Sequence, residues 1–245
     1  MFGLWLKRIS SAAYANGAVY LLQLLKAGNP RRALREYLGS LRRDEKRLLA
    51  PVDRREVSVG GNAVLQEEVR GRSYENDEPY YRKLQYFTTK RYLCIVSATT
   101  RDGATAEVNE FFSSLKFGRG AADTGAADGP PQTGRKPDGA AALKGDVYEA
   151  KDVTRRAVLV WQPPLDYQLM SAATEIDRNR FEMRVQATLA ANGEVTDVKV
   201  LGPSSHGVVA IATEMTRHAK FIPAELNGRP VAQRHTFKYT LWTSG

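Results

Sequence analysis

The sequence predicts an α+β fold, built as two small domains in which antiparallel sheets pack with helices. Three observations predict it. Short apolar or alternating stretches bounded by turn residues recur along both halves, as strands do. Helical apolar stripes are few and fall between those stretches. A long run, "GRGAADTGAADGPPQTGRKPDGAAALKG", separates the halves. It holds almost no large apolar side chain and cannot bury enough surface to offset the entropy of ordering.

That run, residues 118–145, reads as a flexible linker between a first domain, 1–117, and a second, 146–245. A length of 245 residues suits one large or two small domains, and 42% hydrophobic content is enough for packed cores. The net charge of +9 permits anionic partners such as nucleic acid, lipid or acidic protein faces. It selects none of them without a patterned site. The single cysteine, Cys94, cannot close an internal disulfide. It lies in the apolar run "RYLCIVSA", where a small buried hydrophobe is expected rather than a reactive thiol.

No stretch reaches the roughly 18 apolar residues of a membrane span. The opening "MFGLWLKRISSAAYANGAVYLLQLL" carries Lys7 and Arg8 inside its apolar part and is broken again at Asn16-Gly17. A signal peptide places positive charge before a continuous apolar core, so no export signal or anchor is read here.

In the first domain, "GAVYLLQLL" is a strand. "NPRRALREYLGSLRRDEKRLL" follows as a helix, with Asn29 as its cap and Pro30 at its first position. Leu34, Tyr37, Leu38, Leu41 and Leu48 make its apolar face, and arginines occupy the opposite, solvated face. No aromatic residues interleave with those arginines to stack on bases. "REVSV" and "AVLQEEV" read as two strands around a Gly60-Gly61-Asn62 turn. "YYRKLQYF" and "RYLCIVSA" make two more, and "TAEVNEFFSSLKF" closes the domain as a helix with Val108, Phe111, Phe112 and Leu115 on one stripe. The expected order is strand, helix, four antiparallel strands, helix.

On "VSVGGNAVLQEEV", "KRYLCIVSATT" and "EVNEFFSSLKF", residues 12–118 resemble a periplasmic PsbP-like α+β module. That resemblance implies a further N-terminal strand pair, which the sequence reading does not assign. The first domain is therefore expected to be N-terminally incomplete.

The second domain is sharper. "RFEMRVQATL" alternates strictly, with Phe181, Met183, Val185, Ala187 and Leu189 inward. Asn192-Gly193 supplies a hairpin turn and "VTDVKVL" the return strand. Ser204 or Ser205 caps a helix whose face is Val208, Ile211, Ala212, Met215 and Ala219. Pro223 ends that helix, Asn227-Gly228 turns the chain, and a last strand follows. In it Phe237, Tyr239 and Leu241 face inward while Thr236, Lys238 and Thr240 face outward.

This pattern resembles the TonB family C-terminal domain over residues 160–243. The matching pieces are Phe181–Leu189, the turn at Asn192, Gly193 and Val195, the strand Val195–Leu201, the helix 207–220, Phe221-Ile222-Pro223-Ala224, Gly228-Arg229-Pro230-Val231 and the strand 235–242. The chain departs from the family pattern at Val208-Val209, at Ala219 and at Tyr167-Gln168. The resemblance implies a cell-envelope or periplasmic location. It also implies a last strand that grips an extended segment of an outer-membrane transporter by strand addition, with energy passed from an inner-membrane motor.

Catalytic and metal chemistry are not legible. His206, His218 and His235 are read at a loop, a helix end and a strand start, with no cysteine or carboxylate cluster at metal spacing. There is no Walker loop, GxGxxG or GxSxG. Ser204-Ser205-His206 reads as a helix cap rather than a nucleophile and base. Glu67-Glu68 and the pair Glu107 and Glu110 read as solvent-washed. The expectation is therefore a protein that is not an enzyme, with no cofactor and no metal. Its partner-binding edge is His235, Thr236, Phe237, Lys238, Tyr239, Thr240 and Leu241, because an edge strand offers unpaired backbone groups to an extended peptide. Lys238 there discourages self-pairing. The alternative is a periplasmic interaction or scaffold protein that reuses the fold, its basic first domain contacting anionic surfaces.

Overall fold

A computed structural model describes residues 8–41, 48–49, 52–59, 62–73, 76–115, 146–162, 181–202 and 206–241. Its architecture is α+β. The N-terminal part is a six-stranded antiparallel sheet of β1 (Arg8–Ala15), β2 (Ala18–Lys26), β3 (Asp53–Val59), β4 (Asn62–Arg72), β5 (Pro79–Thr88) and β6 (Tyr92–Thr100), in the order β1-β2-β6-β5-β4-β3.

The expected single opening strand is instead a hairpin. β1 pairs β2 from Ala15↔Ala18 outward, and Asn16 and Gly17 turn the chain at φ 49° and 74°. The Asn-Gly pair suits this turn because both residues tolerate positive φ. The structure thus adds one strand, β1, that the sequence reading did not assign.

Helix α1 (Pro30–Leu41) starts as expected, with the Arg32 amide donating to Asn29 Oδ1 at 3.0 Å. It packs Ala33, Leu34, Tyr37 and Leu38 onto a cluster of Leu25, Leu84, Tyr86, Leu93 and Ile95. Leu48 is not on its face. It lies beyond the helix and forms an isolated bridge with Gly71. Helix α2 (Ala106–Ser114) is capped by Thr105, which accepts from the Val108 amide, and covers the opposite sheet face. There Val108 and Phe112 join Phe87, Cys94, Val96 and Ala98. The two central strands are therefore covered on both faces.

The C-terminal part holds β7 (Val147–Tyr148), β8 (Val158–Trp161), β9 (Phe181–Leu189), β10 (Val195–Leu201), α3 (His206–Arg217), β11 (Lys220–Ile222), β12 (Ala224–Leu226) and β13 (Arg229–Leu241). The expected three-stranded sheet is larger: β10-β9-β13-β12, with β7 added on β13. The helix does not run to Pro223. It ends at Arg217, and the chain passes into β11, which forms a separate two-stranded ribbon with β8. Asn227 and Gly228, at φ 53° and 77°, make the turn into β13. Met183, Val185, Ala187, Leu189, Phe237 and Tyr239 meet Ala212 and Met215 of α3 in one core. The expected Ser204 or Ser205 cap, the Gly60-Gly61 turn, the run 118–145, Tyr167-Gln168 and Trp242 lie outside the described residues.

Candidate functional site

The alternation read in the last strand is present: Phe237 and Tyr239 are buried, Lys238 is exposed and Thr236 is half-buried. One edge of β13 is used from Gln233 to its end. It pairs β9 antiparallel from Gln233↔Leu189 to Leu241↔Phe181, so His235 is interior to the strand rather than at its start. The opposite edge is used only near its beginning. β12 pairs at residues 229–231 and β7 pairs in parallel at Ala232 and Gln233. Beyond Gln233 no described strand pairs with that edge. A strand edge of this kind can serve as a template for another chain.

The core side of β13 is held by polar bonds as well as by packing. Tyr239 Oη lies 2.9 Å from Thr216 Oγ1, which donates to the Ala212 carbonyl at 2.7 Å. Gln233, 1% exposed, accepts from the Ala157 amide at 2.9 Å. His235 packs edge-on to Phe237 with ring centroids 4.7 Å apart. Arg234 is tied to Glu149, just past β7, at 2.8 Å. On the outward face, Lys238 stands directly opposite Arg184 across the ladder, and both are exposed.

The expected edge residues are thus brought together on one strand, but they face different ways. His235, Phe237 and Tyr239 serve the domain interior, while Thr236 and Lys238 face outward. The three histidines are not brought together. His206 opens α3, His218 follows its end and pairs with Glu214 at 2.7 Å, and His235 sits in β13. Among the described residues no group of three His, Cys, Asp or Glu side chains could hold a metal. No described helix is long and apolar enough to cross a membrane.

One carboxylate pair differs from expectation. Glu67 is not solvent-washed. It is 2% exposed, accepts from Tyr86 Oη at 2.6 Å and is paired with Arg54. Burial and the Glu67 carboxylate push the Tyr86 hydroxyl far above its ordinary range. Glu68 is half-buried against Arg55, whereas Glu107 and Glu110 are exposed as expected. Glu67 thus has its partners within the sheet.

Sequence reasoning missed a cluster of bonds that joins the two parts. Arg101, just past β6, is 7% exposed and sits between the two parts. Its Nη2 donates to the Arg156 carbonyl at 2.7 Å and also to the Pro223 carbonyl. Glu225 Oε1 is 3.2 Å from its Nε. Burial lowers its pKa, against the opposing pull of Glu225, Glu78 and Asp102. Nearby, Arg155 bonds both oxygens of Asp102 and holds its carboxyl below the usual range. No sequence pattern marks these residues, because "TTRDGAT" reads as an ordinary polar turn.

Residues 182–241 match the family model of the Gram-negative bacterial TonB protein C-terminal. The TonB-like segment therefore starts on β9 and ends with β13, and it takes in the β9–β10 hairpin, α3, β11 and β12. A comparison with curated proteins finds no significant match. Among solved structures, PA94 of Pseudomonas aeruginosa, a protein of unknown function, is similar over 47% of this chain and 87% of its own. At 12% identity and a TM-score of 0.30 that likeness carries no functional argument.

Proposed function

We propose that this chain is a non-enzymatic, TonB-like cell-envelope protein. Its C-terminal part binds an extended protein segment by β-strand addition to the outer edge of β13, at residues 234–241. The carrying observation is the asymmetry of that strand: β9 pairs it from Gln233 to Leu241, while among the described strands β12 and β7 pair it only between Arg229 and Gln233. The TonB-like match over 182–241 supports the same reading. The partner would be a segment of an outer-membrane transporter, and the role energy transduction to it. The PsbP-like resemblance of the N-terminal part agrees with a periplasmic setting.

Affinity in this mode comes from ladder hydrogen bonds, and specificity from the side chains flanking the new strand. Thr236 and Lys238 are those side chains on the outward face. The burial of Phe237 and Tyr239 fixes the register, since a one-residue slip would send them into solvent.

The experiment is titration of full-length protein with synthetic extended peptides from outer-membrane transporters, followed by backbone amide NMR. Shifts concentrated on residues 234–241 support strand addition. Binding that perturbs α1 instead supports the scaffold reading, which draws on the exposed Arg31, Arg32 and Arg35. The two also differ in salt response. Ladder bonds are nearly indifferent to salt, whereas contact with phosphate-bearing polymers weakens steeply.

A further inference from the structure

The sequence reads as two bodies on a flexible tether, yet the structure joins them through an interface with an apolar centre. Val19 of β2 is fully buried against Val158 of β8 and Ile222 of β11, with Tyr14, Tyr80 and Val160 packed around them. Tyr14 also closes over the β9–β10 turn, where a Cβ on Gly193 would lie 2.4 Å from its ring. A ring of polar bonds surrounds this patch. Asn76 Nδ2 donates to the Ala157 carbonyl at 2.6 Å, and Arg156 donates to Glu78 at 3.0 Å and to the Asn76 carbonyl at 2.9 Å. Arg155 reaches Asp102 at 2.6 Å.

Arg101 lies at the middle of this ring, its side chain 4% exposed, with Glu225 on one part and Glu78 on the other as its acids. A cation is retained in such a place only where partners from both sides are held in position. None of the crossing contacts named above falls on residues 234–241.

We infer that the N-terminal sheet carries a docking surface for the chain's own C-terminal part, centred on Arg101. It holds the two parts in one orientation through contacts that lie away from residues 234–241. The occupant is the C-terminal part of the same copy, because the segment that joins the two parts keeps them at high effective concentration. The N-terminal part is then a mount that sets the direction from which an extended partner approaches, whatever that partner is. The inference stands apart from strand addition, since docking can be measured with no partner present.

The test places a specific protease site within 118–145 of the full-length protein, cuts it, and measures mass by light scattering on gel filtration at micromolar concentration. The expected result is that the cut pieces travel together at the mass of one copy. Arg101→Ala should raise their dissociation constant at least a hundredfold. The double change Arg155→Ala with Arg156→Ala, at less buried positions, should raise it at least tenfold and keeps the test open if Arg101→Ala fails to fold. Parent pieces that separate would overturn the docking surface. A mass of two copies would place the docking between chains and overturn the arrangement in one copy. Variants that hold together as tightly as the parent would overturn the central place of Arg101.

Discussion

The ring of Tyr14 fills the space that a side chain on Gly193 would need, so that an added Cβ would meet its Cδ1 at 2.4 Å. Gly193 also has φ of 84°, which other residues adopt at a cost. Two penalties therefore act at one glycine, and they are separable. Gly193→Ala should destabilise the protein by about 1–3 kcal/mol in the parent. In a Tyr14→Gly background, which also removes the Tyr14 Cβ that lies 2.9 Å from the added carbon, only the backbone share, about 1 kcal/mol, should remain. Urea denaturation of the four proteins of this cycle checks it, and equal penalties in both backgrounds would remove the contact from the account.

The bond between Tyr239 and Thr216 ties β13 to α3 inside the core. Tyr239→Phe removes one partner and leaves the Thr216 hydroxyl its bond to the Ala212 carbonyl, so the cost should be about 1 kcal/mol. Thr216→Val loses both bonds and should cost more. The coupling between the two changes should be measurable by a double-mutant cycle. Strict additivity would mean that the two hydroxyls do not meet.

Met215 is 8% exposed and faces the sheet from α3. Met215→Asp places an unpaired carboxylate in that core, at a cost of about 3 kcal/mol or more. Circular dichroism melting should show loss of cooperative unfolding in the C-terminal part. A variant that melts like the parent would mean that the helix presents another face.

Burial pushes the Cys94 thiol up to about 11. At neutral pH the thiolate fraction is then minute, and a buried sulfur is also out of reach. Ellman's reagent should react with the native protein far more slowly than with protein in guanidinium, by a hundredfold or more. Comparable rates would contradict the packing of β6 against α2.

Asp102 gives the acid limb of stability. Arg155 lowers its folded pKa below the ordinary value, so its contribution is complete above the usual carboxylate range, near pH 4, and is lost as pH falls through the folded value. The side chain is 76% exposed, so salt should weaken the effect. The difference in urea midpoint between parent and Asp102→Asn should shrink from pH 6 to pH 3. A constant difference would show that Arg155 does not stabilise the ionised form.

The C-terminal strands were legible because one face of each meets water. Alternation in "FEMRVQATL" and in the last strand placed Met183, Val185, Phe237 and Tyr239 inward, and all are buried. Asn-Gly pairs marked turns for the same reason that they make them. β1 was missed because "RISSAAYA" is rich in small residues with weak strand signal. Glu67 was misread because helices cover both faces of the N-terminal sheet, so polarity no longer marks the solvent side. β8 and β11 are too short for any period to show. The edge of β13 could be suspected from sequence, but the strands flanking it could not. β7 and β12 reach it from separate parts of the chain, and β7 does so through a two-residue contact. The bonds of Arg101 join residues 55 and 122 positions apart, which no local pattern encodes.

Backbone hydrogen exchange at residues 234–241 tests strand addition most directly. In the free protein, amides of this stretch that face β9 should exchange slowly and those on the outer edge quickly, in alternation. Saturation with a bound transporter peptide should slow the outer set at least tenfold while the β9-facing set changes little. Uniform protection of all these amides in the free protein, or bound peptide with no added protection on the outer set, would contradict the account.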